Sequence, residues 1–169
     1  MEDSANLEKL LGSKKKRINS RTKGNTFERK VAEILNKEFN TTEFMRTPGS
    51  GAFATTHKLP NHLLIGGDLI TPSGFPFLIE AKKGYDFKIA DLLNPKSKFM
   101  EIVDKLIKES TRFHKKPVLI FQQDRQNILC LCRTGENIPK TNKDVIFLNN
   151  YMILEINKFI DMVKFYYRS

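Results

Sequence analysis

The stretch GGDLITPSGFPFLIEAKK, residues 66 to 83, sets an acid, Asp68, before a turn, and a second acid and a base, Glu80 and Lys82, at the end of an apolar run. Charges are costly in such a run unless they are paired or hold a ligand, so this segment constrains the fold strongly. Its composition predicts strands over 64 to 71 and 76 to 82 joined by the PSGFP turn. If residues 73 to 75 form a three-residue loop, Ile70 stands opposite Leu78 and Asp68 opposite Glu80. Facing residues of a hairpin share one face, with Cβ atoms about 4.5–5.5 Å apart, and like charges placed so are destabilising. Lys82 returns to the face of Glu80, while Leu69, Phe77, Ile79 and Ala81 take the other. A two-residue loop would separate the acids, so their meeting depends on the turn. Gly66 and Gly67 permit close backbone approach beside Asp68.

The rest of the chain supplies a sheet and helices around this segment. Residues 1 to 23 are polar, carry Lys14, Lys15, Lys16 and Arg17, and lack sustained apolar periodicity, so they read as a basic flexible arm. The basic run fits a solvated tail, a phosphate-binding arm or a nuclear import signal. Residues 24 to 169 then form a single domain. NTFERKVAEILNKEF spaces Phe27, Val31, Ile34 and Leu35 as a helix, with Asn25 as the expected N-cap. FMRTPGSGAFATTHKLPN reads as a loop or irregular edge strand. SKFMEIVDKLIKESTRF is a second helix capped by Ser97, with Met100, Val103, Leu106 and Ile107 on one face. KPVLIFQQ, NILCLC and VIFL read as strands, and MILEI as a strand or the start of a last helix that continues through Phe159, Ile160 and Val163. The expected fold is α/β, a central mixed sheet flanked by helices.

At 169 residues the chain is long enough for one core, and its formal charge of +10 favours a polyanionic partner. No apolar stretch approaches the roughly 20 residues of a membrane span and no hydrophobic signal region opens the chain, so an intracellular, cytoplasmic protein without membrane contact is expected. Cys130 and Cys132 have no second Cys or Cys/His pair, which excludes a zinc site or disulfide framework; they read as small buried side chains.

Two facing carboxylates are hard oxygen ligands suited to Mg²⁺, with Mn²⁺ as a substitute. Such an ion lowers the pKa of a bound water and neutralises charge developing at phosphorus. Lys82 is placed to orient or deprotonate that water, or to stabilise the transition state. Phosphodiester hydrolysis fits this set. The bland alternative is an exposed Glu–Lys pair at a strand end, and the same Glu-x-Lys spacing recurs at Glu28 and Lys30, where helical geometry points the two apart. Glu28 has two readings of its own. Asn25-x-x-Glu28 fits a capping box, yet Glu28 also lies at the border of the apolar stripe, from where it reaches the sheet. Arg46, Ser50 and the glycines around them suit a phosphate cradle. His57 and His62 are isolated loop histidines outside the catalytic set.

Gly67, Asp68, the apolar strand and Ile79, Glu80, Ala81, Lys82 together resemble the signature of the PD-(D/E)xK nucleases, with Gly67 where that signature usually has proline. Within the superfamily the sequence is most similar to archaeal-type Holliday-junction resolvases, through Glu28 in FERKVAEIL and Arg46 and Ser50 in RTPGSGA; the likeness spans residues 24 to about 121. The resemblance implies a restriction-endonuclease-like core, Mg²⁺ dependence and DNA cleavage. It favours Glu28 as a third metal ligand beside Asp68 and Glu80, Lys82 as the group acting on water, and Arg46, Ser50 and Lys83 as phosphate contacts. It further implies a homodimer acting on branched DNA, because one such site hydrolyses one phosphodiester at a time. The C-terminal FIDMVKFYY, with Phe165, Tyr166 and Tyr167, offers apolar material either for that contact or for the chain's own core. The alternatives are a nuclease of the same superfamily acting on unbranched DNA, in restriction, repair or replication, and a non-catalytic nucleic-acid-binding module. A pure binder gains nothing from carboxylates that face a phosphate.

Deleting residues 1 to 20 removes Lys9, Lys14, Lys15, Lys16 and Arg17. The expected result is weaker DNA binding with cleavage retained, and a log–log salt slope reduced by about 0.9 for each duplex phosphate that the segment had neutralised. A salt titration that returns the same slope with and without the segment would assign it to solvent.

Overall fold

The structure, a computed structural model, describes residues 20–48, 66–134 and 145–166. Its elements are α1 (Ser20–Phe39), β1 (Met45–Arg46), β2 (Leu69–Ile70), β3 (Phe77–Lys83), a 3₁₀ segment (Ile89–Leu93), α2 (Lys98–Arg112), β4 (Lys116–Gln122), β5 (Ile128–Arg133), β6 (Ile146–Leu148), β7 (Tyr151–Glu155) and α3 (Ile156–Tyr166). Five strands form one mixed sheet in the order β3-β4-β5-β7-β6; β3 and β4 run parallel and the other neighbours antiparallel. MILEI thus contributes to a strand whose end passes directly into α3. The sheet with helices on both faces is the expected α/β architecture.

Strict alternation along the strands divides the core into two layers. Phe77, Ile79 and Ala81 of β3, Val118 and Ile120 of β4 and both cysteines of β5 pack under α1 and α3, through Phe27, Val31, Leu35, Phe159 and Ile160. Leu78, Leu119, Phe121, Leu131 and Ile153 face the other way, against Leu92 and against Phe99, Val103 and Leu106 of α2. Cys130 and Cys132 are buried free thiols. Burial raises both, Cys130 with a further contribution from Cys132, and Cys132 is pushed up to about 12. Phe159, Ile160 and Val163 lie in the chain's own core while Phe165 is 78% exposed, so the C-terminal apolar segment packs into the chain's own core over most of α3.

Ser97 caps α2 as expected, its side chain accepting from the Met100 amide at 3.1 Å. Asn25 does not cap α1. The helix opens at Ser20, so residues 20 to 23, read as the end of the arm, are helical and Asn25 lies inside the element. Gly24 costs such a helix only about 1 kcal/mol, too little to end one whose later turns are anchored in the core. Asn40, at φ 50°, terminates it in a left-handed turn, with the Thr41 amide bonded to the Asn36 carbonyl at 3.0 Å. The Asn36 side chain then grips both backbone groups of Phe44 and sets the path into β1.

The expected β2–β3 hairpin ladder is absent among the described residues. β2 pairs with β1 instead, Met45 opposite Ile70 and Arg46 opposite Leu69. The PSGFP turn is tighter than a three-residue loop: the Phe75 amide bonds the Pro72 carbonyl at 3.1 Å with Gly74 at φ +83°, the arrangement of a type II turn. β3 is therefore an edge strand of the large sheet, and what lies on its open edge is Asp68. The Asp68 amide donates to the Ile79 carbonyl at 2.8 Å, and its Oδ2 accepts from the Ala81 amide at 2.9 Å. Gly67 makes this approach possible. It has φ +72°, and a Cβ there would stand 2.4 Å from the Ile79 carbonyl oxygen.

Gly67→Ala is expected to lower stability by more than the about 1–2 kcal/mol that left-handed backbone alone costs an L-residue, because the added methyl meets backbone. Gly74→Ala, at a similar φ but with open space around it, should cost only the backbone part. Urea unfolding of the two variants side by side checks the ranking, and equal losses would contradict the close approach at Gly67.

Candidate active site at the open edge of β3

Asp68 is held in place by backbone. Its two bonds to β3 are those a neighbouring strand would make, except that a side-chain oxygen replaces one carbonyl. That substitution turns the carboxylate toward the face that carries Glu80 and Lys82. The Lys82 ammonium lies 2.8 Å from Asp68 Oδ2 and 2.5 Å from Glu80 Oε1. Asp68 and Glu80 thus meet at one cation, as the sequence led one to expect, though through an edge contact rather than a facing register.

All three groups are largely out of water, with Asp68 only 5% exposed. Burial raises the Glu80 carboxyl above its usual range and the Asp68 charge raises it further, against the opposing pull of Lys82. Burial alone would lower Lys82, yet the charges of Glu80 and Asp68 and hydrogen bonds to both carry it well above an ordinary lysine. The result is a permanently charged ammonium clamped between two carboxylates.

Glu28 reaches the same edge from α1 and is buried, 6% exposed. It accepts from Arg46 Nε at 2.5 Å, and the Arg46 guanidinium also donates to Asn25 Oδ1 at 2.9 Å. These bonds replace the capping-box reading of Asn25 and Glu28. Burial raises the Glu28 carboxyl, as does the charge of Asp68, while Arg46 and Lys82 lower it. Arg46, expected at a phosphate, is thus the partner of the third acid. Lys83 follows Lys82 but alternates to the opposite face, where its ammonium lies 6.0 Å from the centre of the Phe27 ring. Ser50, Lys14, Lys15, Lys16, Arg17, His57 and His62 lie outside the described residues.

One acid of this region escaped the sequence reading. Glu109 of α2 accepts from the Gly67 amide at 3.1 Å and adds to the field that raises Glu80. It holds the residue before Asp68 across 42 positions of sequence. No local motif marks it, since an acid on the polar flank of an amphipathic helix is the ordinary pattern.

The donor set suits a hard divalent cation in its chemistry, being carboxylates that already converge on a positive charge. Among the described residues no group of three His, Cys, Asp or Glu side chains stands as a ready ligand set, which matches the engagement of Glu28 by Arg46. No described helix is long and apolar enough to cross a membrane.

Fold and motif together define a nuclease of the PD-(D/E)xK class. The chain belongs to the family described as phage putative PDDEXK endonuclease, whose model matches residues 19–167. Among solved structures it is similar to Hjc of Archaeoglobus fulgidus, a Holliday junction resolvase, at 15% identity over 79% of this chain and 89% of that one, with a TM-score of 0.39. No curated protein matches the sequence.

Arg46→Ala strands a buried carboxylate at Glu28 and is expected to cost about 1–3 kcal/mol. Adding Glu28→Gln to it should recover part of that loss, because the orphaned charge is gone. A double-mutant cycle by urea unfolding at neutral pH measures the coupling, and strictly additive losses would mean that the pair does not interact in solution.

Proposed function

We propose that this protein is a metal-dependent DNA endonuclease that hydrolyses phosphodiester bonds in branched DNA, as a homodimer. The observation that carries the reading is the Asp68–Lys82–Glu80 cluster, an otherwise costly arrangement of one buried and one half-buried carboxylate about one ammonium at a sheet edge, in a chain of an endonuclease family. Asp68, Glu80 and Glu28 are the residues that would hold Mg²⁺ or Mn²⁺. The ion, when bound, supplies an activated water and neutralises charge at the phosphate.

The chain's own groups divide the remaining work. Lys82 is held charged by its neighbours, so it serves as a hydrogen-bond donor that orients the water or meets the charge developing on phosphate, not as the base that removes a proton. Glu28 and Arg46 satisfy each other; parted, they provide one carboxylate for the ion and one bidentate guanidinium for a phosphate. Lys83, on the α1 face, adds a further phosphate contact beside the edge, and Ser50 and the basic segment containing Lys14, Lys15, Lys16 and Arg17 extend the binding surface.

The branched-DNA part of the reading is supported by the resolvase-like RTPGSGA stretch and by the need for two cuts to separate a four-way junction. Two copies related by a twofold axis match the junction's own symmetry. The exposed Phe165 at the end of α3 is a suitable contact for the second copy.

Asp68→Asn, Glu80→Gln and Lys82→Ala are each expected to reduce cleavage by at least about a hundredfold, with DNA binding largely retained. Ca²⁺ should support binding without turnover, since its looser coordination holds reacting groups poorly. The assay is nicking, with and without Mg²⁺, of a matched panel of linear, single-stranded, flapped and four-way DNA, together with light scattering and mapping of both cut strands. A variant with near wild-type turnover would remove its residue from the site. A monomer that cuts linear duplex as fast as junctions would leave a nuclease of unbranched DNA.

A further inference from the structure

Lys82 stands in register with Phe121 of β4, so the two side chains emerge side by side on one face of the sheet, their strands about 5 Å apart. Phe121 forms part of the wall of a cavity of about 390 Å³, a size typical of small-ligand sites. Phe87, Phe99, Leu92 and Leu129 join it in the apolar part of the lining, with Ile146 and Ile153, and Lys88, Arg125 and Gln126 of the lining are exposed. The three phenylalanines contact one another, with ring centres 4.2 to 5.8 Å apart. The chain that leaves β3 at Lys83 contributes Phe87 and Lys88 to the lining. Tyr85, 41% exposed, lies parallel to Phe87 with centres 5.1 Å apart and an interplanar angle of 7°. Glu155, also in the lining, is engaged by the Asn127 side chain at 2.6 Å.

The occupant must be flat and aromatic to use these walls, and attached to anionic groups to use the exposed cations of the lining. It must also belong one strand away from the group that acts on the scissile phosphate. We propose that this cavity receives a nucleobase of the substrate, unstacked from the helix next to the scissile phosphate. The inference rests on the nuclease reading above and deepens it, because bases leave the stack most cheaply where they are unpaired, mismatched or at the end of a duplex arm. Stacking on aromatic rings is tolerant of sequence, so the cavity selects DNA structure while reading little of the base. It gives the site a way to prefer distorted DNA that does not require a second subunit.

The test compares a duplex carrying one unpaired nucleotide with the same duplex in which that nucleotide lacks its base. Binding of the full chain is measured by fluorescence anisotropy in Ca²⁺. Wild type is expected to bind the base-bearing duplex about tenfold more tightly. Leu129→Trp, which fills the cavity, and Phe87→Ala, which removes a wall, should bring the ratio near one while binding the abasic duplex as wild type does. Equal wild-type affinity for the two duplexes overturns the proposal, as does a ratio that survives in both variants. Because the wild-type comparison varies only the DNA, the result stands even if a variant folds poorly. Nicking of the same duplexes in Mg²⁺ reports separately on the nuclease reading: a tenfold ratio without cleavage upholds the cavity and removes the chemistry, and cleavage with equal affinities does the reverse.

Discussion

The ammonium of Lys82 is the point on which the edge of the sheet depends. Remove its charge and Asp68 and Glu80 become two carboxylates in a poorly hydrated crevice, each raising the cost of ionising the other. With the charge in place, they lie at 2.8 and 2.5 Å from one nitrogen. The strand must therefore deliver Glu80 and Lys82 to the same face, which the period of two does without further help. The other acid must arrive from outside the sheet, and it does so by occupying the edge of β3.

Edge strands expose unpaired amides and carbonyls that invite association with another chain. Here Asp68 takes up two of them, the Ile79 carbonyl and the Ala81 amide, so the same contact that blunts the edge aims the carboxylate. This dual use has a steric requirement. Gly67 must pass within van der Waals distance of the Ile79 carbonyl in a left-handed conformation, and Glu109 of α2 must hold its amide from below. The acid is thus positioned by β3 and, through Gly67, by the distant α2, and its orientation does not rely on the short β2 strand alone.

What could be read from the sequence follows the range of the forces involved. Alternation in residues 77 to 82 and helical spacing in residues 98 to 112 are set by burial of each segment's own side chains, and both elements were legible, as was the Ser97 cap. So was the meeting of Asp68 and Glu80, because the expected pairing and the observed edge contact both carry Asp68 to the face of Glu80. The ladder itself was misread: a side-chain oxygen competes for the Ala81 amide, and pattern reasoning counts only backbone pairing. Asn25 was misread because a local capping motif was weighed without Arg46, which arrives 21 residues later and takes its side chain. Glu109 left no trace at all, since its role is a single bond to a distant amide.

The charge balance of the site explains how a protein of formal charge +10 can present an acidic centre to DNA. Around Asp68 the structure gathers Glu28, Glu80 and Glu109, four carboxylates in all, against the cations Lys82 and Arg46. With all six ionised, this patch alone carries a net charge of about −2 and repels phosphate at short range, while the net positive charge of the whole chain attracts the polyanion from farther off, within the roughly 8–10 Å over which salt leaves such fields effective. A divalent cation would cancel that deficit where a phosphate has to enter, and would do so only where carboxylates stay ionised despite burial. The charge of Lys82 opposes the burial that raises Glu80 and leaves the local charge short of neutrality. On the metal-dependent reading proposed above, the ammonium leaves room for a second cation and would not substitute for one, so a lysine between two acids is compatible with that proposal.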